Sequence, residues 1–171
     1  GALAEAGLWR DLDEADQAAV IDELRVGEDS TWAAGGAWSA DGEELADGAV
    51  EPWLKAMTAP LARCGVALEV QTITGPYDED SEGYVVSVNG ATLALYDFEP
   101  DEPGLPTSED PWTDCTLEPA AEVNRLLAEA DSDRRLAVFW PGSNDGFAVL
   151  GPEQALAQVA GSSDDWSCVI P

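Results

Sequence analysis

Leu136-Ala137-Val138-Phe139-Trp140 and Phe147-Ala148-Val149-Leu150 decide how this chain is read. Both are continuous apolar runs, rich in aromatic and β-branched residues, and both are bounded by turn formers. Runs of that kind fit strands covered on both faces, whereas a half-exposed strand alternates. Pro141-Gly142-Ser143-Asn144-Asp145-Gly146 joins them with the residue types that hairpin connections favour. The sequence therefore predicts a central hairpin over 136–150 with helices packed against it.

Working outward, Pro119–Ala130 reads as a helix with Val123, Leu126 and Leu127 inward, and Pro152–Ala160 as another with Leu156 and Val159 inward. Tyr84–Val88 and Ala91–Tyr96 are strands joined by Asn89-Gly90, a strong type I′ turn signal. That turn sets Val88 opposite Ala91, Val86 opposite Leu93 and Tyr84 opposite Leu95. Val66–Thr74 alternates as a half-buried strand before Gly75-Pro76. Cys168-Val169-Ile170 reads as a short edge strand. Toward the N-terminus, Asp13–Arg25 reads as a helix capped by Asp13, and 30–39 as a short strand or irregular loop. A helix from Pro52 carries Trp53, Leu54, Met57 and Leu61 at helical spacing, kinks or divides at Pro60, and stops at Gly65. Residues 97–118 hold four prolines and eight acids and read as one long loop. Together these predict an α+β fold: a mainly antiparallel sheet of about five strands with helices packed on it. It is expected as a single domain over 1–171, with a mainly helical part at 1–64 and a sheet-and-helix core at 65–171.

The 171 residues suffice for a real core, and 45% are apolar despite the charge. No run approaches the ~20 apolar residues of a membrane span, and no basic segment precedes an apolar one as in a secretory signal. Thirty-five acids face seven bases, a net charge of −28. Such a chain is not expected to bind nucleic acid or an anionic membrane directly, because both require cations that replace counterions. Adaptation to high salt, a basic partner, or a very soluble cytosolic protein remain as causes. The acidity is uneven, since residues 65–118 hold 13 acids and no base.

Histidine is absent, which removes Ser-His-Asp and Cys-His catalysis and histidine-ligated metals. Cys64, Cys115 and Cys168 are odd in number and lack a zinc spacing, so they are expected as reduced, mostly buried thiols; a single Cys64–Cys115 or Cys115–Cys168 bridge is the alternative. Asp78-Glu79-Asp80-Ser81-Glu82-Gly83 resembles the start of a calcium loop, but its twelfth position is Asn89, so it reads as an acidic hairpin loop. Paired carboxylates arise by chance among so many acids, and Asp97 at a strand end is the foremost functional acid. Ser143-Asn144-Asp145-Gly146 has no nucleophile-elbow pattern and reads as a turn. No catalytic, metal or cofactor residue is therefore assigned. Of the seven tryptophans, Trp140 and Trp53 read as core, and Trp32, Trp38, Trp112 and Trp166 lie in loop-like, polar contexts.

Four stretches carry a resemblance: Tyr84-Val85-Val86-Ser87-Val88-Asn89-Gly90, Ala121-Glu122-Val123-Asn124-Arg125-Leu126-Leu127, Asp131-Ser132-Asp133-Arg134-Arg135-Leu136, and Asn144-Asp145-Gly146-Phe147-Ala148-Val149-Leu150-Gly151-Pro152-Glu153-Gln154. With the tryptophan-containing loop between them, they resemble bacterial immunity-type proteins encoded beside polymorphic toxins. The resemblance implies a small cytoplasmic, non-enzymatic toxin inhibitor and transfers no functional residue. The expected function is an acidic binding protein that sequesters a basic protein partner. Asp78, Glu79, Asp80, Glu82, Asp97, Glu99, Asp101, Glu102, Glu109 and Asp110 would attract the partner, and Trp112 and Trp166 would anchor it. The competing readings are a DNA mimic that blocks a DNA-binding protein, a halophile-adapted housekeeping domain, and a carboxylate- or metal-dependent enzyme.

Overall fold

The computed structural model describes residues 36–78, 81–99, 102–160 and 167–171. The helix expected at 13–25, together with Trp32, lies outside them. The fold is α+β, but the strands among the described residues form two antiparallel sheets of four, where one sheet of about five was expected. The first sheet holds β1 (Ala37–Ser39), β6 (Arg134–Phe139), β7 (Phe147–Pro152) and β8 (Cys168–Val169), ordered β1-β7-β6-β8. The second is the meander β2 (Val70–Thr74), β3 (Gly83–Val88), β4 (Ala91–Glu99) and β5 (Glu102–Pro106). The helices are α1 (Gly42–Glu44), α2 (Val50–Ala56), α3 (Thr58–Arg63), α4 (Pro111–Glu129) and α5 (Glu153–Ala160), with a π turn, Leu45–Ala49, between α1 and α2.

The continuous apolar runs do what their pattern requires. Leu136 and Val138 of β6 and Ala148 and Leu150 of β7 enter one core, while Ala137, Phe139 and Val149 enter a second on the opposite face. The first core is shared by both sheets, α4 and the α2–α3 pair; it joins Trp38, Leu54, Met57, Val86, Val123 and Leu127. The second is covered by Ala155, Leu156 and Val159 of α5. Sheet one is thus covered on both faces, and β2 of sheet two alternates between half-buried and exposed residues.

Several boundaries move for identifiable reasons. β2 begins at Val70, not Val66, because the Asn89 side chain takes over the backbone before it. Its amide donates to the Ala67 carbonyl at 2.8 Å, and its oxygen accepts from the Glu69 N–H at 2.7 Å. The helix expected from Pro52 starts at Val50 and breaks at Met57, three residues ahead of Pro60. Gly65 ends it as expected, at φ +85°. Trp140, expected in the core, is only half-buried and occupies a left-handed bend at φ 48°. Trp38, in the stretch read as a short strand or irregular loop, is a fully buried strand residue. The three cysteines are unpaired thiols; Cys115 is buried, and Cys64 and Cys168 are half-buried.

The largest correction concerns 97–118, which is not one loop. β4 continues to Glu99, β5 follows, and α4 starts at Pro111, eight residues before the expected Pro119. Asp110 caps that helix, its carboxylate accepting from the Thr113 N–H at 3.1 Å, with Pro111 in the first turn where a missing N–H costs nothing.

Candidate functional site

The register of the Asn89-Gly90 hairpin shapes the site. Val88 faces Ala91 and Val86 faces Leu93 as the turn dictates, but Tyr84 faces Tyr96, not Leu95. Between those pairs the ladder shifts, and Leu95 is the extra residue of a bulge. A one-residue shift inverts the faces of everything beyond it. Leu95 and Tyr96 are consequently both buried, Phe98 packs against the core, and Asp97 and Glu99 turn outward. Without the bulge, strict alternation from Leu93 and Leu95 would have driven Asp97 and Glu99 inward.

Tyr96 and Phe98, with ring centroids 5.7 Å apart and planes tilted by 53°, form the floor of a groove of about 280 Å³. Ala46 and Asp47 of the π turn border it, as do Pro76 and Tyr77 of the β2–β3 connection. Gly104 and Pro106 of β5 and Pro111 and Trp112 at the start of α4 complete it.

Each wall has a local cause. The π turn is possible because Gly48 adopts φ +110°, and two buried tyrosines hold it from sheet two. Tyr96 donates its hydroxyl to the Ala46 carbonyl at 2.8 Å, and the Tyr84 hydroxyl accepts from the Val50 N–H at 3.2 Å. Burial raises the pKa of both phenols, that of Tyr84 to about 12, so they remain neutral hydrogen-bonding groups. In the β2–β3 connection the Asp78 carboxylate accepts from the Gly75 N–H at 2.6 Å, and Ser81 donates to the Gly75 carbonyl at 2.9 Å. This closed turn projects Tyr77, which is 76% exposed and donates to Asp47 Oδ1 at 2.7 Å. That bond to a carboxylate raises the Tyr77 pKa. At the helix start, Trp112 packs so closely that a Cβ on Gly42 would lie 3.0 Å from Trp112 Cβ. The Trp112 side chain nevertheless stays exposed, with the residue at 37%.

The expected partner-binding residues divide into those on this rim and those elsewhere. Trp112 lines the groove. Asp97 and Glu99 flank Phe98, and Glu82 is tied to the same point, its carbonyl accepting from the Phe98 N–H at 2.8 Å. Asp78 follows Tyr77, and Glu109 and Asp110 precede Pro111, so their segments meet at the groove although the acids do not line it. Asp78 and Asp110 also have structural duties, as turn and cap. Glu102 belongs to β5, and Glu79, Asp80, Asp101 and Trp166 lie outside the described residues. Sequence reasoning missed Tyr77, Tyr96, Phe98 and Asp47. The spacing of Tyr96 and Phe98 around Asp97 carried the signal. The expected register correctly put Tyr84, Val86, Leu93 and Leu95 on the core face, but it ended the strand at Tyr96 and did not foresee the bulge that turns Tyr96 and Phe98 inward.

Two of the three thiols sit where burial disfavours the thiolate. Burial pushes the Cys115 thiol up to about 12 and raises that of Cys168, so both stay protonated near neutral pH. Among the described residues no cluster of three acids or thiols is placed to hold a metal ion, and no helix is long and apolar enough to cross a membrane. Comparison with protein-family models, with curated proteins and with solved structures gave no match.

Proposed function

We propose that this protein is a non-catalytic acidic binding protein that sequesters a basic protein partner, foremost as the immunity protein of a toxin. One observation carries the reading: Tyr77, Tyr96, Phe98 and Trp112 line one groove. The chain segments forming most of its rim belong to residues 65–118, where 13 acids stand without a base. Exposed tyrosine and tryptophan are the side chains that most often anchor protein interfaces, and a surrounding field of one sign accelerates encounter with a partner of the other. The acids would set the association rate and exclude acidic competitors, and aromatic burial would set the lifetime of the complex. The toxin assignment itself rests on the resemblance of residues 84–154 to immunity-type proteins.

Tagged protein immobilised in a lysate of its source cell tests this, with a salt-step elution and a parallel challenge by duplex DNA. One basic protein is expected, captured stoichiometrically, released by salt and not displaced by DNA. Displacement by DNA would favour the DNA-mimic alternative. Capture of nothing, at a salt concentration where the protein is folded, would overturn the binding function.

A further inference from the structure

We propose that the groove receives a single arginine side chain of the partner, its guanidinium laid on the aromatic faces and directed at the Asp47 carboxylate. This rests on the reading of the protein as a binder of a basic partner, and it names the chemical group that the partner inserts.

The groove is rich in acceptors and π faces and poor in donors. Pro76, Pro106 and Pro111 contribute no N–H to it. Both tyrosine hydroxyls are already donated, Tyr77 to Asp47 and Tyr96 to the Ala46 carbonyl. A ligand built from acceptors, such as a carboxylate or phosphate, would find the Trp112 indole N–H as its one remaining side-chain donor among the described lining residues, with the Asp47 charge set against it. A guanidinium has five N–H donors and no acceptor, which is the complementary inventory.

Charge and shape agree with this choice. Among the described residues no lining residue is basic, and Asp47 is the one acid that lines the groove directly. Its carboxylate has about four lone-pair sites, of which the Tyr77 hydroxyl uses one. Aromatic faces attract cations through their quadrupole, and arginine is met there more often than lysine. The planar, weakly hydrated guanidinium also stacks on rings, whereas a lysine ammonium surrenders more hydration on leaving water. A groove of about 280 Å³, open at the surface, admits a long unbranched side chain end-on.

The test uses two blocked tripeptides, acetyl-Gly-Arg-Gly-amide and the same peptide with citrulline, the neutral isostere of arginine. Each is titrated at low salt into the full ¹⁵N-labelled chain. Saturable shifts are expected at the Trp112 indole N–H and at the amides of Tyr77, Tyr96 and Phe98, with the citrulline peptide binding at least about tenfold more weakly. Trp112→Ala should abolish these shifts, Trp112→Phe should retain most of them, and Asp47→Asn should weaken binding several-fold. A thermal melt of each variant verifies its fold. Equal binding of the two peptides, or shifts that spread without saturation over the acidic loops, would overturn the proposal. The outcome separates from that of the wider reading. If the captured basic partner dissociates from Trp112→Ala as slowly as from the wild type, the arginine site falls and the basic-partner function stands. If the chain takes up no basic protein at all, both fall.

Discussion

Asn124 is a buried polar residue on α4, and its side chain closes a gap in sheet one. Its oxygen accepts from the Leu136 N–H at 2.7 Å, and its amide donates to the carbonyls of Leu136 and Pro171, each at 2.9 Å. It thereby completes the part of the β6 edge that β8, paired only at Val138 and Phe139, does not reach. Asn124→Ala would strand the Leu136 N–H and carbonyl in the core, and a loss of about 2–4 kcal/mol is expected in urea unfolding. Tyr84 gives a pH test. Its folded pKa is raised from 10.0 to about 12 by desolvation first, and the side chain is fully buried. Below pH 10 both states hold the proton and stability is complete. Between pH 10 and 12 the unfolded chain releases it first, so stability falls, by up to about 3 kcal/mol for this group. Tyr96 and Cys115 shift in the same direction and add to the wild-type loss. Tyr84→Phe should flatten the alkaline limb of a stability–pH curve, and an unchanged slope would remove Tyr84 as a cause. Neither role was legible in the sequence, because partners 12 and 34 residues away are fixed by tertiary packing and not by local pattern.

Among the elements, those defined by hydrophobic period or by a strong turn signal were legible, and the capped start of α4 and the bulge in β4 were not. The two apolar runs correctly announced strands covered on both faces, and Asn89-Gly90 correctly announced a hairpin, with φ 47° and 82° at its two residues. The start of α4 was missed because four prolines in 97–118 read as loop, although Asp110-Pro111 is itself a cap followed by a first-turn proline. The bulge at Leu95 was missed because one inserted residue leaves no compositional mark, yet it orients half of the groove. Gly83 stands across from that half: a Cβ there would lie 2.4 Å from the Tyr96 carbonyl oxygen, which is backbone and cannot give. Gly142 locks the β6–β7 connection to the first turn of α4. It holds φ +73°, and a Cβ there would approach Thr113 Oγ1 to 2.2 Å. Gly142→Ala should cost about 2 kcal/mol or more, from the left-handed backbone together with the clash. It should also move the Trp112 indole resonance, since Trp112 adjoins Thr113. Gly90→Ala makes the comparison, because it shares the positive φ with nothing within 4 Å, so its loss should be smaller.

For the whole molecule, the α+β class was legible, but the division into two sheets was not. Strand count and pairing depend on which hairpins meet, and the helix that joins the sheets in one core was read as starting eight residues too late. The net charge of −28 has two physical consequences with opposite salt dependence. Self-repulsion weakens the compact state, so the melting temperature should rise as salt increases from about 0.05 to 0.5 M and the Debye length shortens. Attraction for a basic partner should weaken over the same range. A melt that collapses below molar salt, with no partner captured at any salt where the chain is folded, would assign the acidity to solvation instead. The most direct measurement compares two triple variants that change the net charge equally. Asp97→Asn/Glu99→Gln/Glu109→Gln neutralises the groove side, and Glu69→Gln/Glu118→Gln/Asp131→Asn neutralises exposed acids away from it. Association rates with the captured basic protein are then read at low salt. The groove-side variant is expected to associate at least about tenfold more slowly and the other within about twofold of wild type. Equal slowing by both would contradict a localised acidic docking face.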